Sequence, residues 1–272
     1  MIRLAAALAL LAVPPTASLS AAEVRISKSS AGPQELMGPL LPDSTAYQRL
    51  TAFPEKLSYD VAWGPIGVGH ATLEVSQIVE FNGRPAYHIV SRARSNRFCD
   101  AFYKVRDLNQ SWMDARTLSS LGYSKQLREG HFFRDEWVLN QDGRWVGKWA
   151  GRDLNYNVAV GTAPIGVQDV LSAMYFLRRK TLSAGSSIVL DVNTRQNWPL
   201  IVRVLRKERV RTPAGRFDAW LVEPALRKEG LFIQKGNRLR VWLSDDPRHT
   251  PVMMKVDVFF GSITARLAKM VH

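Results

Sequence analysis

Few side chains in this sequence stand at spacings that perform chemistry. Its five histidines are His70, His88, His131, His249 and His272. None lies four residues from another, and there is no His-Glu-x-x-His, the spacing that puts two imidazoles on one helix face for zinc. A site built in space from His70, His88 and a carboxylate is the one metal reading left, and the spacing favours structural histidines instead. No metal and no cofactor are therefore expected. Cys99 sits in Asn96-Arg97-Phe98-Cys99-Asp100. A neighbouring cation lowers a thiol pKa, whereas Phe98 and Phe102 suit a packed, inert cysteine. No Gly-x-Ser-x-Gly is present, nor a glycine-rich phosphate loop. Asp245-Asp246-Pro247 reads as a turn rather than as the opposed carboxylates that a glycosidase holds roughly 5–9 Å apart. A hydrolase with an Asp/Glu site stays only as an alternative.

Two other residue classes point to binding. The sequence has eight tryptophans, and Trp145 and Trp149 share one face of a period-two segment. Such a pair stacks on a ligand or packs in a sheet. Lys and Arg number 37 against 24 Asp and Glu, a net charge of +13. The basic residues gather at Arg203, Arg206, Lys207, Arg209 and Arg211, and again at Lys235, Arg238 and Arg240. With a single cysteine, an intrachain disulfide and a multi-cysteine centre are excluded.

The N-terminus sets the compartment. Met1-Ile2-Arg3, an apolar run over residues 4–13, Pro14-Pro15 and Ser20-Ala21-Ala22 match an export signal cleaved after Ala22. Ten apolar residues are too few to span a bilayer of roughly 30 Å, and no later run reaches the length of a transmembrane helix. With no cysteine near the cleavage point, a lipoprotein is not expected. The reading is a periplasmic protein whose polyanionic partners are envelope components rather than nucleic acid, with peripheral contact to the membrane or an envelope protein as a further option.

Residues 23–53 read as an extended or poorly ordered arm, with a short helix near 44–51. From residue 54 onward one β-rich domain is expected, running to 272. Leu57, Tyr59, Val61 and Trp63 alternate with Ser58, Asp60 and Ala62, the period of a strand with one buried face. Asn82-Gly83 and Asp142-Gly143 are hairpin turns, since both central residues of a type I′ turn need positive φ. About eleven strands follow at regular spacing. One segment differs: Val167, Val170, Leu171, Met174 and Leu177 recur at helical spacing. Asp169 is expected in its first turn and Arg178-Arg179-Lys180 in its last, both favourable to the helix dipole. The architecture predicted is a single curved antiparallel sheet, a half-barrel, with this amphipathic helix on its concave face.

Several blocks together resemble a known family. They are Lys56-Leu57-Ser58-Tyr59-Asp60-Val61-Ala62-Trp63 with Gly67-Val68-Gly69-His70-Ala71, then Tyr103-Lys104-Val105-Arg106-Asp107 and Asp169-Val170-Leu171-Ser172-Ala173. Thr212-Pro213-Ala214-Gly215-Arg216-Phe217, Val241-Trp242-Leu243-Ser244-Asp245-Asp246 and Gly261-Ser262-Ile263-Thr264-Ala265 follow in order. The chain resembles, over residues 54–268, the exported bacterial family called domain of unknown function 3108. The resemblance implies no catalytic residues. The element order is similar to that of periplasmic lipoprotein carriers, half-barrels that wrap acyl chains beneath a helical lid, a likeness of fold alone.

The expectation is thus a non-enzymatic carrier of an amphiphilic, anionic ligand. Trp63, Val170, Met174, Leu177 and Trp242 would line its cavity. Arg106, Asp107, Asp245 and Arg248 would form the rim, with Arg106 or Asp107 paired to a charge in the turn at 245–248. An envelope module that binds acidic polymer or a protein partner on its outer face is the alternative.

Overall fold

The computed structural model describes residues 32–50, 53–153, 155–226, 238–258 and 260–272. The expected export signal at 1–22 and residues 23–31 of the expected arm lie outside them. Among the described residues there are fifteen strands, not about eleven. They are β1 Met37–Leu41, β2 Glu55–Trp63, β3 Ile66–Phe81, β4 Arg84–Ser95, β5 Arg106–Asp114, β6 Ser120–Glu129, β7 Phe132–Gln141, β8 Arg144–Ala150 and β9 Asn157–Thr162. After the main helix come β10 Ser187–Asn193, β11 Asn197–Thr212, β12 Gly215–Leu226, β13 Leu239–Ser244, β14 Pro251–Asp257 and β15 Ser262–Val271. Fourteen form one antiparallel path in the order β10 to β15, then β2 to β9, while β1 pairs with β3 beyond the start of β2.

Local chemistry explains the tight connections. Asn82 and Gly83 have φ of 48° and 76°, and Asp142 and Gly143 have 49° and 77°, the left-handed pair that these turns require. Three of the strands lack the usual alternation. Pro39 and Gly38 disguise β1, β9 is a short edge, and β6 buries Lys125 and Glu129 where a hydrophobic residue would be looked for. The short helix expected near 44–51 is, over its described part, a turn in which Tyr47 N–H donates to Ser44 O.

Two α-helices are described, α1 Arg97–Asp100 and α2 Val170–Leu177. The second is only two turns long. Asp169 is its N-cap rather than a residue of its first turn. Its carboxylate accepts from Leu171 N–H at 2.8 Å and Ser172 N–H at 3.1 Å, and Ser172 Oγ accepts from Asp169 N–H in return. That reciprocal cap satisfies donors that a helix end otherwise leaves open.

The helix packs on β4, β5 and β10. Leu171, Tyr175 and Leu177 join one continuous core with Leu57, Tyr59, Leu73, Ile89, Val204, Leu221, Leu243 and Met254 from the surrounding wall. The sheet curls until its two ends meet. The β10–β11 connection reaches β7, β8 and β9, where Asn197 Nδ2 donates to Thr162 O and Arg195 meets Glu136 on β7. Gln168, just before the helix, lies alongside β10 in a parallel bridge to Val192.

Candidate functional site

The helix ends on a buried charge pair. Arg178 donates to both oxygens of Glu55, each at 2.7 Å, and both side chains are fully buried. Arg178 Nε also donates to Arg248 O at 3.0 Å, and Tyr175 OH donates to Glu55 at 3.2 Å. Arg178 is therefore a buried C-cap rather than a residue of the last turn as expected. Burial, followed by the charge of Glu55, raises the Tyr59 and Tyr175 phenols well above their ordinary range.

A second polar group lines the wall on β5 to β8. Asn109, Lys125, Glu136 and Trp149 stand opposite one another on successive strands. Glu136 is fully buried and meets Arg195 at 3.2 Å, Arg134 at 3.5 Å and Lys125 at 3.7 Å. The Arg195 guanidinium lies 4.5 Å over the Trp149 ring, and the Trp145 ring packs against Gly147 and Gly161. Trp145 and Trp149 thus help to close the seam. Burial lowers the pKa of Lys125 and of Arg195. Asp107 belongs to this belt. It accepts from Arg128 N–H at 2.9 Å, and burial pushes its carboxyl up to about 6.

Of the expected cavity residues, Val170, Met174, Leu177 and Trp242 come together on the main core. Leu177 and Trp242 are buried, and Val170 and Met174 half-buried. Trp242 Nε1 donates to Glu208 at 2.5 Å. Trp63 is elsewhere. It closes β2 at the opposite end from Glu55, about 26 Å away along a nine-residue strand. There it packs with Val61, Leu239, Val256, Val258 and Ile263.

The expected rim divides in the same way. Arg106 starts β5 at the Trp63 end, opposite Arg94. The 245–248 turn caps the other end, beside Arg178. The expected ion pair between them is therefore wrong, because the height of the barrel separates them. Arg106 instead pairs with Asp100 at 2.6 Å and holds that carboxyl down to about 2, while Asp245 pairs with Lys207 at 2.6 Å. Some of the basic strand residues are matched as well, Arg206 with Glu208, Arg209 with Asp218 and Arg240 with Asp257, while Lys235 lies outside the described residues.

The candidate reactive residues have structural partners. His70 meets Asp60 at 3.1 Å, and His88 stacks on Trp112 while contacting Gln110. Among the described residues no three His, Cys, Asp or Glu side chains cluster to hold a metal. Burial and then Asp100 raise the Cys99 thiol, against the depression that neighbouring cations would cause.

Sequence reasoning missed one concavity. The turn at Pro33–Leu36 crosses the outer face of the sheet, with Gln34 donating to Ser124. Beside it lies a groove of about 410 Å³, lined by residues that include Phe81, Trp137, Leu139, Asn140 and Asp142. Trp137 and the Asp142 turn were visible as types, but only the fold brings them beside Leu36.

One solved structure bears on the fold. A β-barrel-like protein of domain of unknown function DUF1849 from Brucella abortus superposes with a TM-score of 0.53 at 15% identity, covering 80% of this chain and 97% of that one. A protein with a YmcC-like fold from Bacteroides fragilis also matches, with a TM-score of 0.37 at 8% identity over 83% of this chain and 99% of that one. No curated protein matches the sequence. The family model described as protein of unknown function, DUF3108, matches residues 58–268, and the chain belongs to that family.

Proposed function

We propose that the protein is an exported, non-enzymatic carrier that takes an amphiphile on the concave side of its sheet. The observation that carries this reading is the size of the wall relative to what fills it. About eight strands enclose a space that side chains alone can fill, and the diameter grows with strand number. Here fourteen strands in one path curl around a helix of eight residues, roughly 12 Å long. The helix occupies the Glu55 end. Toward the other end Val61, Trp63, Leu239 and Val258 are only half-buried. Apolar lining of this kind suits acyl chains, at about 0.8 kcal/mol for each CH₂ removed from water.

The test is a titration with a fluorescent fatty acid, together with mass spectrometry of lipid extracted from protein taken from its own host. Saturable binding that weakens in Trp63→Ala is expected. Absence of both a co-purified lipid and probe binding overturns the reading. The outer groove beside Phe81 and Trp137 favours a second reading, an envelope module with an external site. Probe binding lost in Trp137→Ala but kept in Trp63→Ala would favour it.

A further inference from the structure

Three connections at the Trp63 end stand side by side. The β14–β15 turn, the β2–β3 turn and the α1 segment between β4 and β5 join six neighbouring strands, an arc of about 24 Å at 4.8 Å per interval. The register places them at one level. Trp63 lies opposite both Ile66 and Ile263, and Asn96 Nδ2 donates to Gly67 O. Each connection presents a large apolar side chain to solvent. Phe260 is 64% exposed, Ile66 52%, Phe98 67% and Phe102 79%. Phe98 and Phe102 meet edge to face at 5.7 Å, so they protrude as a pair. Trp63 Nε1 donates to Phe260 O at 2.6 Å and ties two of the connections together.

Cations accompany these tips. Arg94, Arg97, Lys104 and Arg238 are exposed at the same end, and among the described residues none of them forms an ion pair. Two of the acidic groups described nearby are ion-paired, Asp100 with Arg106 and Asp257 with Arg240, while Asp60 meets His70, whose ring is charged only when protonated. Among the described residues the exposed tips at this end are apolar and the unpaired charges beside them are positive, on a chain of net charge +13.

We propose that this end of the barrel is a docking edge for an anionic phospholipid surface. Aromatic tips enter the headgroup level, where rings of this kind partition favourably, while unpaired Arg and Lys side chains meet lipid phosphates. The proposal deepens the carrier reading, since the half-buried side chains around Trp63 would open toward the bilayer that supplies the amphiphile. The docking is measurable without it.

The experiment is co-sedimentation of the chain, purified from its own host's envelope, with vesicles of phosphatidylglycerol in phosphatidylcholine and with phosphatidylcholine alone. Binding to the anionic vesicles is expected, and it should weaken as salt shortens the screening length. Replacing the protruding pair, Phe98→Ser with Phe102→Ser, should lower the partition coefficient at least about tenfold. Each of Arg94→Ala, Arg97→Ala and Lys104→Ala should cost about fivefold on anionic vesicles only. All five side chains are exposed, so thermal melts should match wild type. A wild-type chain that stays in the supernatant overturns the proposal. So does a Phe98/Phe102 variant that sediments as wild type, or a protein partner held by these tips when vesicles are not. Fatty-acid binding in vesicle-free solution should be unchanged in every variant. Its absence from wild type alongside intact vesicle binding would overturn the carrier reading alone.

Discussion

Glu55→Ala removes the carboxylate that pairs with Arg178 in a buried site. Both partners are fully buried, and the pair is bidentate at 2.7 Å. Deleting one member of such a pair strands the other charge in the interior, at a cost of about 3–5 kcal/mol. Tyr175 OH loses its acceptor too, which adds about 1 kcal/mol. Against a total stability of roughly 5–15 kcal/mol, the loss is a large share. The double replacement Glu55→Leu with Arg178→Met removes both charges together. Apolar replacement of a whole buried pair is neutral to favourable, although Arg248 O then loses a donor worth about 1 kcal/mol. The double variant should therefore be more stable than Glu55→Ala by at least about 2 kcal/mol. Urea melts followed by tryptophan fluorescence, with m-values checked for equality, give both numbers. A Glu55→Ala loss under about 1 kcal/mol, or a double variant weaker than the single, would refute the claim that an uncompensated buried charge governs this end of the helix.

Two further outcomes follow from the same core. The folded Asp107 carboxyl, raised by burial to about 6 and hydrogen-bonded to Glu129, binds its proton more tightly than the unfolded chain does at a pKa near 3.9. Stability should therefore fall as pH rises between about 4 and 6, and Asp107→Asn should reduce that fall. Denaturant midpoints measured across that range decide it, and an equal fall in both chains would exclude Asp107 as the source. Met174→Ala should lower stability by under about 2 kcal/mol, because the side chain is only half-buried. It should also change the fatty-acid titration. A larger loss with no effect on binding would mark Met174 as a packing residue only.

The sequence made the wall legible where one face of a strand is apolar. The alternation of Leu57, Tyr59 and Val61 was enough for β2, and the two Asx-Gly turns fixed their hairpins through backbone sterics alone. Strand β6 was hidden because Tyr123, Lys125 and Glu129 point polar atoms inward, and only partners distant in sequence make that tolerable. The helix was legible from its stripe. Its end was not, since Arg178 reads as a surface charge until Glu55, 123 residues away, is placed against it. The rim expectation failed for the same reason. Arg106 and Arg248 are similar as types, and only the strand register puts them at opposite ends.

The seam between β9 and β10 has a meaning beyond shape. An open sheet of fourteen strands offers two rows of unmet backbone donors and acceptors, each a template on which another chain can polymerise. Here part of each row is met locally. Gln168 N–H donates to Asp191 O and Asn193 N–H to Gln168 O, so a single residue acts as a stub of a further strand along β10. Asn197 covers Thr162 on the other side. The hoop is thus buckled rather than welded: its two ends are held mainly by side chains and one isolated bridge, not by a continuous ladder. A break at this buckle would leave every strand pair around the circumference intact, because among the described residues no ladder joins β9 to β10.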